Sequence, residues 1–123
     1  MLKRKGFTLI EVLIVVIILG ILATIAIPQF SQMVKRARLA EAWTNLAAIR
    51  TAQSVYHLEN SAYAATVAAL TDLVIQNNGT NFTYAIVAGA GATYNATATG
   101  VAATPYAGIS AWMANDGTNG STY

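Results

Sequence analysis

The chain has 123 residues, of which 55% are hydrophobic and only 10% charged, and it contains no cysteine. That length fits one domain, and the composition is too apolar for a disordered chain and too poor in charge for an ordinary cytosolic one. Disulfides, thiolate catalysis and cysteine-based zinc sites are excluded. The formal charge of +2 is unevenly placed: Lys3, Arg4 and Lys5 stand near the start, while from Pro28 onward Lys35, Arg36, Arg38 and Arg50 are balanced by Glu41, Glu59, Asp72 and Asp116. Only the Lys35–Arg38 cluster is basic there, so a phosphate-neutralising surface for nucleic acid is not expected.

Phe7 to Phe30 is apolar except for Thr8, Glu11, Gly20, Thr24, Pro28 and Gln29. A helix of about 20 residues crosses a hydrocarbon core of roughly 30 Å, so the segment is long enough to span a membrane. Glu11 is the anomaly, because a carboxylate at a hydrocarbon position costs about 2.5–3.5 kcal/mol and is usually kept for a function. A secretory signal peptide could use Thr24-Ile25-Ala26 as its cleavage site, but its apolar region would be overlong and acidic. A plain membrane anchor leaves Glu11 and Pro28 as unexplained costs. Lys35, Arg36 and Arg38 on the far side also blur any orientation by charge bias.

A third reading accounts for both. The stretch KGFTLIEVLIVVIILGILATIAIP resembles the class III signal of type IV pilins and of type II secretion pseudopilins. The resemblance implies removal of a basic leader, residues 1–6, by a prepilin peptidase that cuts between Gly6 and Phe7 and N-methylates Phe7. Glu11 then becomes the fifth residue of the mature chain, facing the amine of a neighbouring Phe7 in a filament. An unpaired charge in a low-dielectric filament core is costly, and an opposite charge offsets much of that cost. The bland alternative is that Glu11 snorkels to the headgroups, being four residues from Phe7. Gly20 and Pro28 fall where the family has its helix-softening residues.

Beyond Pro28 the pattern becomes amphipathic. Leu39, Ala42, Leu46, Ile49, Ala52 and Tyr56 recur at three- and four-residue steps with Trp43 beside them, and Arg38, Glu41, Asn45, Arg50 and Gln53 lie between. This predicts one helix continuing to about Asn60, with an apolar stripe that needs a covering layer. Pro28 is expected to bend or loosen the rod. Thr66 to Val74 reads as a short second helix with Thr66 as N-cap. After the Asn77-Asn78-Gly79 turn, Phe82–Ala88 and Ala92–Thr99 read as strands joined by a Gly89-Ala90-Gly91 hairpin loop, and Gly108–Ala114 as a third. The expected class is α+β: a long helix, membrane-spanning over residues 7–30, with a pilin domain at 31–123. That domain divides into helix 31–60, connecting loop 61–79 and antiparallel sheet 80–123.

No residues make a convincing catalytic centre. His57 is the single histidine and reads as a surface residue, and neither Ser54 nor Asp72 has the spacing of a triad. Asp116-Gly117-Thr118-Asn119 supplies one carboxylate, too few for a calcium loop, and reads as a turn. Asn78, Asn81, Asn95 and Asn119 match the glycosylation pattern by composition, and the aromatics on the helix read as core or contact residues. Without cysteines the C-terminal segment must be held by packing of Trp112 and Met113, or by neighbouring subunits.

The expectation is a non-enzymatic subunit with no metal and no cofactor. The resemblance implies a homo-oligomeric helical filament, and as partners the prepilin peptidase/N-methyltransferase, the inner-membrane assembly machinery and the membrane before assembly. It would be an inner-membrane prepilin that becomes an extracellular pilus supporting adhesion or motility. A type II secretion pseudopilin in a short periplasmic pseudopilus is the alternative within the family. Outside it stands an anchored binding domain that does not polymerise.

Overall fold

A computed structural model describes residues 6–71, 73, 75, 78–89 and 93–123. Helix α1 runs Leu9–Asn60, followed by a single 3-10 turn at Val67–Ala69. Four strands follow, β1 Phe82–Ala88, β2 Tyr94–Gly100, β3 Ser110–Ala114 and β4 Asn119–Thr122. They form one antiparallel sheet in the order β1-β2-β3-β4. This is the α+β architecture expected. The chain divides into two compact units, Met1–Val34 and Lys35–Tyr123.

In the first unit α1 buries nothing. Each large apolar side chain from Leu9 to Ile27 is at least half exposed, and the stretch is long and apolar enough to cross a membrane. The helix passes through Pro28 without interruption.

In the second unit one face of α1 carries the core. Leu39, Ala42, Leu46 and Ile49 are buried, with Ala52, Tyr56 and Trp43 packed partly against them. The sheet covers this face with Phe82, Tyr84 and Ile86 of β1, Tyr94, Ala96 and Ala98 of β2, and Ala111 of β3. Strand alternation places these residues on one side and an uncharged mixture of polar, small and a few larger apolar residues on the other. Asn45 and Gln53, read from the sequence as polar flank, are in fact buried. Both have partners that make burial tolerable. Asn45 Nδ2 donates to the Tyr84 hydroxyl at 2.8 Å. Gln53 Nε2 donates to the Ala64 carbonyl and Gln53 Oε1 accepts from the Ala64 amide, both at 2.8 Å.

Other polar residues of α1 pin the connections. Both carboxylate oxygens of Glu41 accept from Asn81 Nδ2, at 3.1 and 3.0 Å, just ahead of β1. Arg38 donates to the Pro105 carbonyl and lies 5.5 Å from the centre of the Tyr106 ring. That loop returns so closely over β2 that a Cβ on Gly100 would stand 1.8 Å from the Tyr106 carbonyl oxygen, leaving room only for glycine. His57 is half-buried rather than a plain surface residue, because its ring stacks 4.4 Å from Tyr63, which meets Tyr94 edge-on at 4.9 Å.

The second helix expected at Thr66–Val74 is corrected to the three-residue 3-10 turn. Thr66 flanks it in an extended conformation and makes no side-chain cap bond; Val74, the end of that reading, lies outside the described residues, as do Ala90 and Gly91 of the expected hairpin loop. The third strand begins at Ser110, with Gly108 in a left-handed turn at φ 78° before it. The fourth strand was not expected. It corrects the account of the C-terminal segment: β4 is held by pairing with β3, from Ser110↔Thr122 to Met113↔Asn119, while Trp112 points outward.

Two outcomes follow. Gln53→Ala leaves the buried Ala64 amide and carbonyl without their partner, at about 1–3 kcal/mol for each group; urea denaturation should show that loss, and accelerated exchange of the Ala64 amide should locate it. Burial pushes the pKa of the Tyr84 and Tyr94 phenols above its ordinary value. A raised folded-state value gives stability that is complete below the unfolded tyrosine pKa of about 10 and is lost as pH rises through the folded value. Thermal unfolding should therefore show a fall in stability above about pH 10, smaller in Tyr94→Phe, which keeps the ring contact.

Candidate functional site at the helix N-terminus

The sequence TLIE spans Thr8 to Glu11 and starts α1. Thr8 and Glu11 close a reciprocal capping box. The Thr8 amide donates to Glu11 Oε2 at 2.9 Å, and the Glu11 amide donates to Thr8 Oγ1 at 3.3 Å. The Thr8 hydroxyl also donates to Glu11 Oε2, at 2.8 Å. Two amides that a helix start would leave unpaired are thus satisfied by side chains. The carboxylate also sits at the positive end of the helix dipole.

Sequence reasoning had singled out Glu11 but passed over Thr8. The missed signal is the S/T-x-x-E spacing directly before an apolar run, which marks a helix start. Both hydrogen bonds that Thr8 gives the Glu11 carboxylate fall on Oε2.

Gly6 and Phe7 precede the helix. Nothing lies within 4 Å of a Cβ position on Gly6, and Phe7 is 88% exposed, so the bond between them is open to approach. Lys3, Arg4 and Lys5 lie outside the described residues. Farther along, Gly20, Thr24 and Pro28 stand four residues apart on one face. The Thr24 hydroxyl donates back to the Gly20 carbonyl at 2.9 Å, and Pro28 has no N–H to offer the Thr24 carbonyl. Gly20 and Pro28, singled out in the sequence as helix-softening residues, are therefore linked through Thr24, which was read there only as part of a candidate cleavage site.

Other candidates have local structural uses. Asp116 Oδ1 accepts from the Thr118 amide at 2.8 Å and the Thr118 hydroxyl at 2.7 Å, tightening the turn between β3 and β4 with Gly117 at φ 90°. The described residues contain no group of three or more His, Asp or Glu able to hold a metal. A groove of about 640 Å³ beside the outer part of α1 is lined by Val55, Tyr56, Leu70, Leu73 and Glu59 among others.

A methylation-type N-terminus on an apolar helix, with a small antiparallel sheet after it, defines a pilin-like α+β protein. Two family models match: the prokaryotic N-terminal methylation motif over residues 1–27 and the type IV pilin-like G and H family over residues 40–122. The chain belongs to the type IV pilin and type II secretion pseudopilin family. It is 50% identical over 62 residues to the type IV major pilin protein PilA of Myxococcus xanthus, covering 50% of this chain and 28% of that one. Identity to the type II secretion system core protein G of Pseudomonas aeruginosa is 40% over 77 residues, covering 63% and 54%. The type IV wide pilus major component of Thermus thermophilus is 36% identical over 92 residues, covering 75% and 70%. The chain thus spans only about a quarter to a half of the first two relatives.

The hydrogen bonds from the Thr118 hydroxyl and amide hold the Asp116 carboxyl below its ordinary value. A lowered folded-state pKa gives stability that is present above the unfolded value of about 4 and is lost as pH falls through the folded one. Acidification below about pH 4 should loosen the β3–β4 turn. The Thr118 amide shift, followed by NMR, should titrate there, and Asp116→Asn should abolish that titration while the turn persists.

Proposed function

We propose that this chain is the structural subunit of a type IV pilus, stored in the inner membrane and processed between Gly6 and Phe7. Phe7 becomes the methylated N-terminus, and apolar N-terminal helices bundle in the filament with the sheet domain outside. The observation that carries this reading is the pairing of a wholly uncovered apolar helix with one carboxylate at its start. An isolated protein in water has no use for such a surface, since large exposed apolar patches mark membrane or protein contact.

The capping box refines what Glu11 does. Oε2 serves its own helix through Thr8, which leaves Oε1 for the Phe7 amine of a neighbouring subunit. Docking is then favoured only where amine and carboxylate meet, because either charge alone is costly in a dry core. In this reading the membrane, the prepilin peptidase/N-methyltransferase and the inner-membrane assembly machinery are the partners, with copies of the same chain in the filament. The resemblance to core protein G of a secretion system supports a second reading, a short periplasmic pseudopilus.

The test is to shear the cell surface, image what is released and weigh its subunit. Long filaments whose subunit has the mass of residues 7–123 plus one methyl group would support the pilus. Processed protein that stays with the envelope, with no filament carrying it, would favour the pseudopilus, and a chain retaining residues 1–6 would overturn the processing site. Glu11→Ala should leave processing largely intact and abolish filaments, whereas normal filament yield from that variant would defeat the pairing.

A further inference from the structure

The proposed assembly runs through Phe7 and Glu11 and gives the outward face of the sheet no task. That face has an ordered chemistry. Register places Thr83, Thr99, Ser110 and Thr122 side by side across all four strands. At a strand spacing of about 4.8 Å, these hydroxyls form a row about 14 Å long. The next row is Ala85, Thr97, Trp112 and Gly120, and the third holds Val87, Asn95 and Ala114. The four strands contain no Lys, Arg, His, Asp or Glu.

Trp112 is the one large aromatic on this face and is 38% exposed. Its indole rests against Gly120, where a Cβ would come within 2.8 Å of Nε1 and 3.0 Å of Cε2 and Cζ2. Glycine at that position therefore lets the ring settle onto the neighbouring strand. The hydroxyl protons are largely committed within the sheet. Thr83 donates to the Thr99 carbonyl at 3.3 Å and Thr97 to the Ala85 carbonyl at 3.4 Å, and the Ser110 and Thr122 hydroxyls share a 2.5 Å bond. What this leaves outward is mainly oxygen lone pairs. Asn95 Oδ1 is closed off from solvent without a hydrogen-bond partner; turning that amide outward to a donor would exchange an unpaired acceptor for a bond.

We propose that this face binds a neutral polysaccharide, with one pyranose ring lying on the Trp112 indole and neighbouring units crossing Thr97 toward Ala85. The C–H face of a pyranose is apolar and suits an aromatic surface, while its rim of hydroxyls supplies donors to the acceptors of Thr99 and Ser110. The strand spacing is close to the length of one sugar unit in an extended chain, so successive units meet successive strands. The absence of charge argues against phosphate, acidic glycans and lipid headgroups, all of which would be met by cations. A protein partner would want a cluster of anchors, and here there is a single one.

The experiment uses the unpolymerised full chain in a sugar-free zwitterionic detergent, with Trp43→Phe so that Trp112 is the only tryptophan. Cellohexaose and chitohexaose are the neutral probes and polygalacturonate the anionic control, read by fluorescence titration and by calorimetry. At least one neutral hexamer should bind saturably, and polygalacturonate should not. Trp112→Ala, read by calorimetry, should bind at least about tenfold more weakly, with substantial recovery in Trp112→Tyr. Circular dichroism and thermal midpoints check that each variant is folded, and Thr99→Val, expected to weaken binding, replaces Trp112→Ala if that chain does not fold. Failure of both neutral hexamers to bind, undiminished affinity in the variants, or preference for polygalacturonate would overturn the proposal. Self-association that depends on Trp112 without any sugar response would also overturn it, assigning the face to a second copy. Because the measurement is made on single subunits, its result does not depend on whether filaments form.

Discussion

The second unit depends on one strip of helix α1, from Leu39 to Gln53, that must be kept from water. Four apolar side chains there are wholly or nearly buried, and the larger ones, Leu39, Leu46 and Ile49, each contribute on the order of 1.5–3 kcal/mol when fully covered. The sheet supplies the cover, and its inner face is graded in size. Phe82, Tyr84, Ile86 and Tyr94 fill the margin toward β1, while Ala96, Ala98 and Ala111 line the strands beyond. Small residues on a pleated surface let a helix lie down on it without a gap, and gaps are what cores tolerate least. The connections are then fastened by polar groups of the same helix: Gln53 to Ala64, Glu41 to Asn81 and Arg38 to Pro105. One element thus supplies the apolar surface and several of the bonds that position its cover.

The first unit presents the opposite solution from the same helix. Its side chains are apolar on every face, so no single layer could cover them; a helix of that kind is buried in a membrane or within a large core. Under the proposed assembly the membrane covers it first and neighbouring helices later. Glu11 is then the one charged side chain among the described residues of that stretch that can mark an axial position, since apolar contacts alone are non-directional. Its bonds to Thr8 hold the carboxylate at the mouth of the helix instead of leaving it free to swing. A fixed charge is a better register mark than a mobile one, because less side-chain entropy remains to be lost on docking.

Much of this was legible in the sequence. Helix α1 and its end at Asn60, the strand at Phe82–Ala88 and most of the next two strands follow from periodicity and turn residues. Strand β4 did not, because Asn119-Gly120-Ser121-Thr122 has no apolar alternation; its pairing is set by the Asp116-Gly117 turn and by β3. The burial of Asn45 and Gln53 was hidden for a related reason. Pattern reading sorts residues by polarity, whereas these two are buried by virtue of partners, Tyr84 and Ala64, that are 39 and 11 residues away. At the N-terminus, Glu11 stood out as an anomaly and so absorbed the attention that its capping partner Thr8 also warranted.

The placing of Pro28 follows from the same solvent logic. A proline inside a helix removes the hydrogen bond to the carbonyl four residues earlier, here that of Thr24. In hydrocarbon a carbonyl without a partner costs several kcal/mol, so a break is tolerable only where water or another donor reaches it. Counting from Phe7, Thr24 lies about 26 Å along the helix at 1.5 Å per residue. That is close to the far boundary of a core of roughly 30 Å. Pro28 itself lies about 32 Å along, just past that boundary. Under the proposed membrane placement the open carbonyl falls where headgroup water can satisfy it, and the turn at Pro28 lies toward the end of the stretch that lipid would cover. Gly20 and Thr24 extend that weakness inward by one helical turn, since the Thr24 hydroxyl already shares the Gly20 carbonyl. In that proposed reading, a helix with two different covers is softest where the cover changes, and there it can adjust without disturbing either.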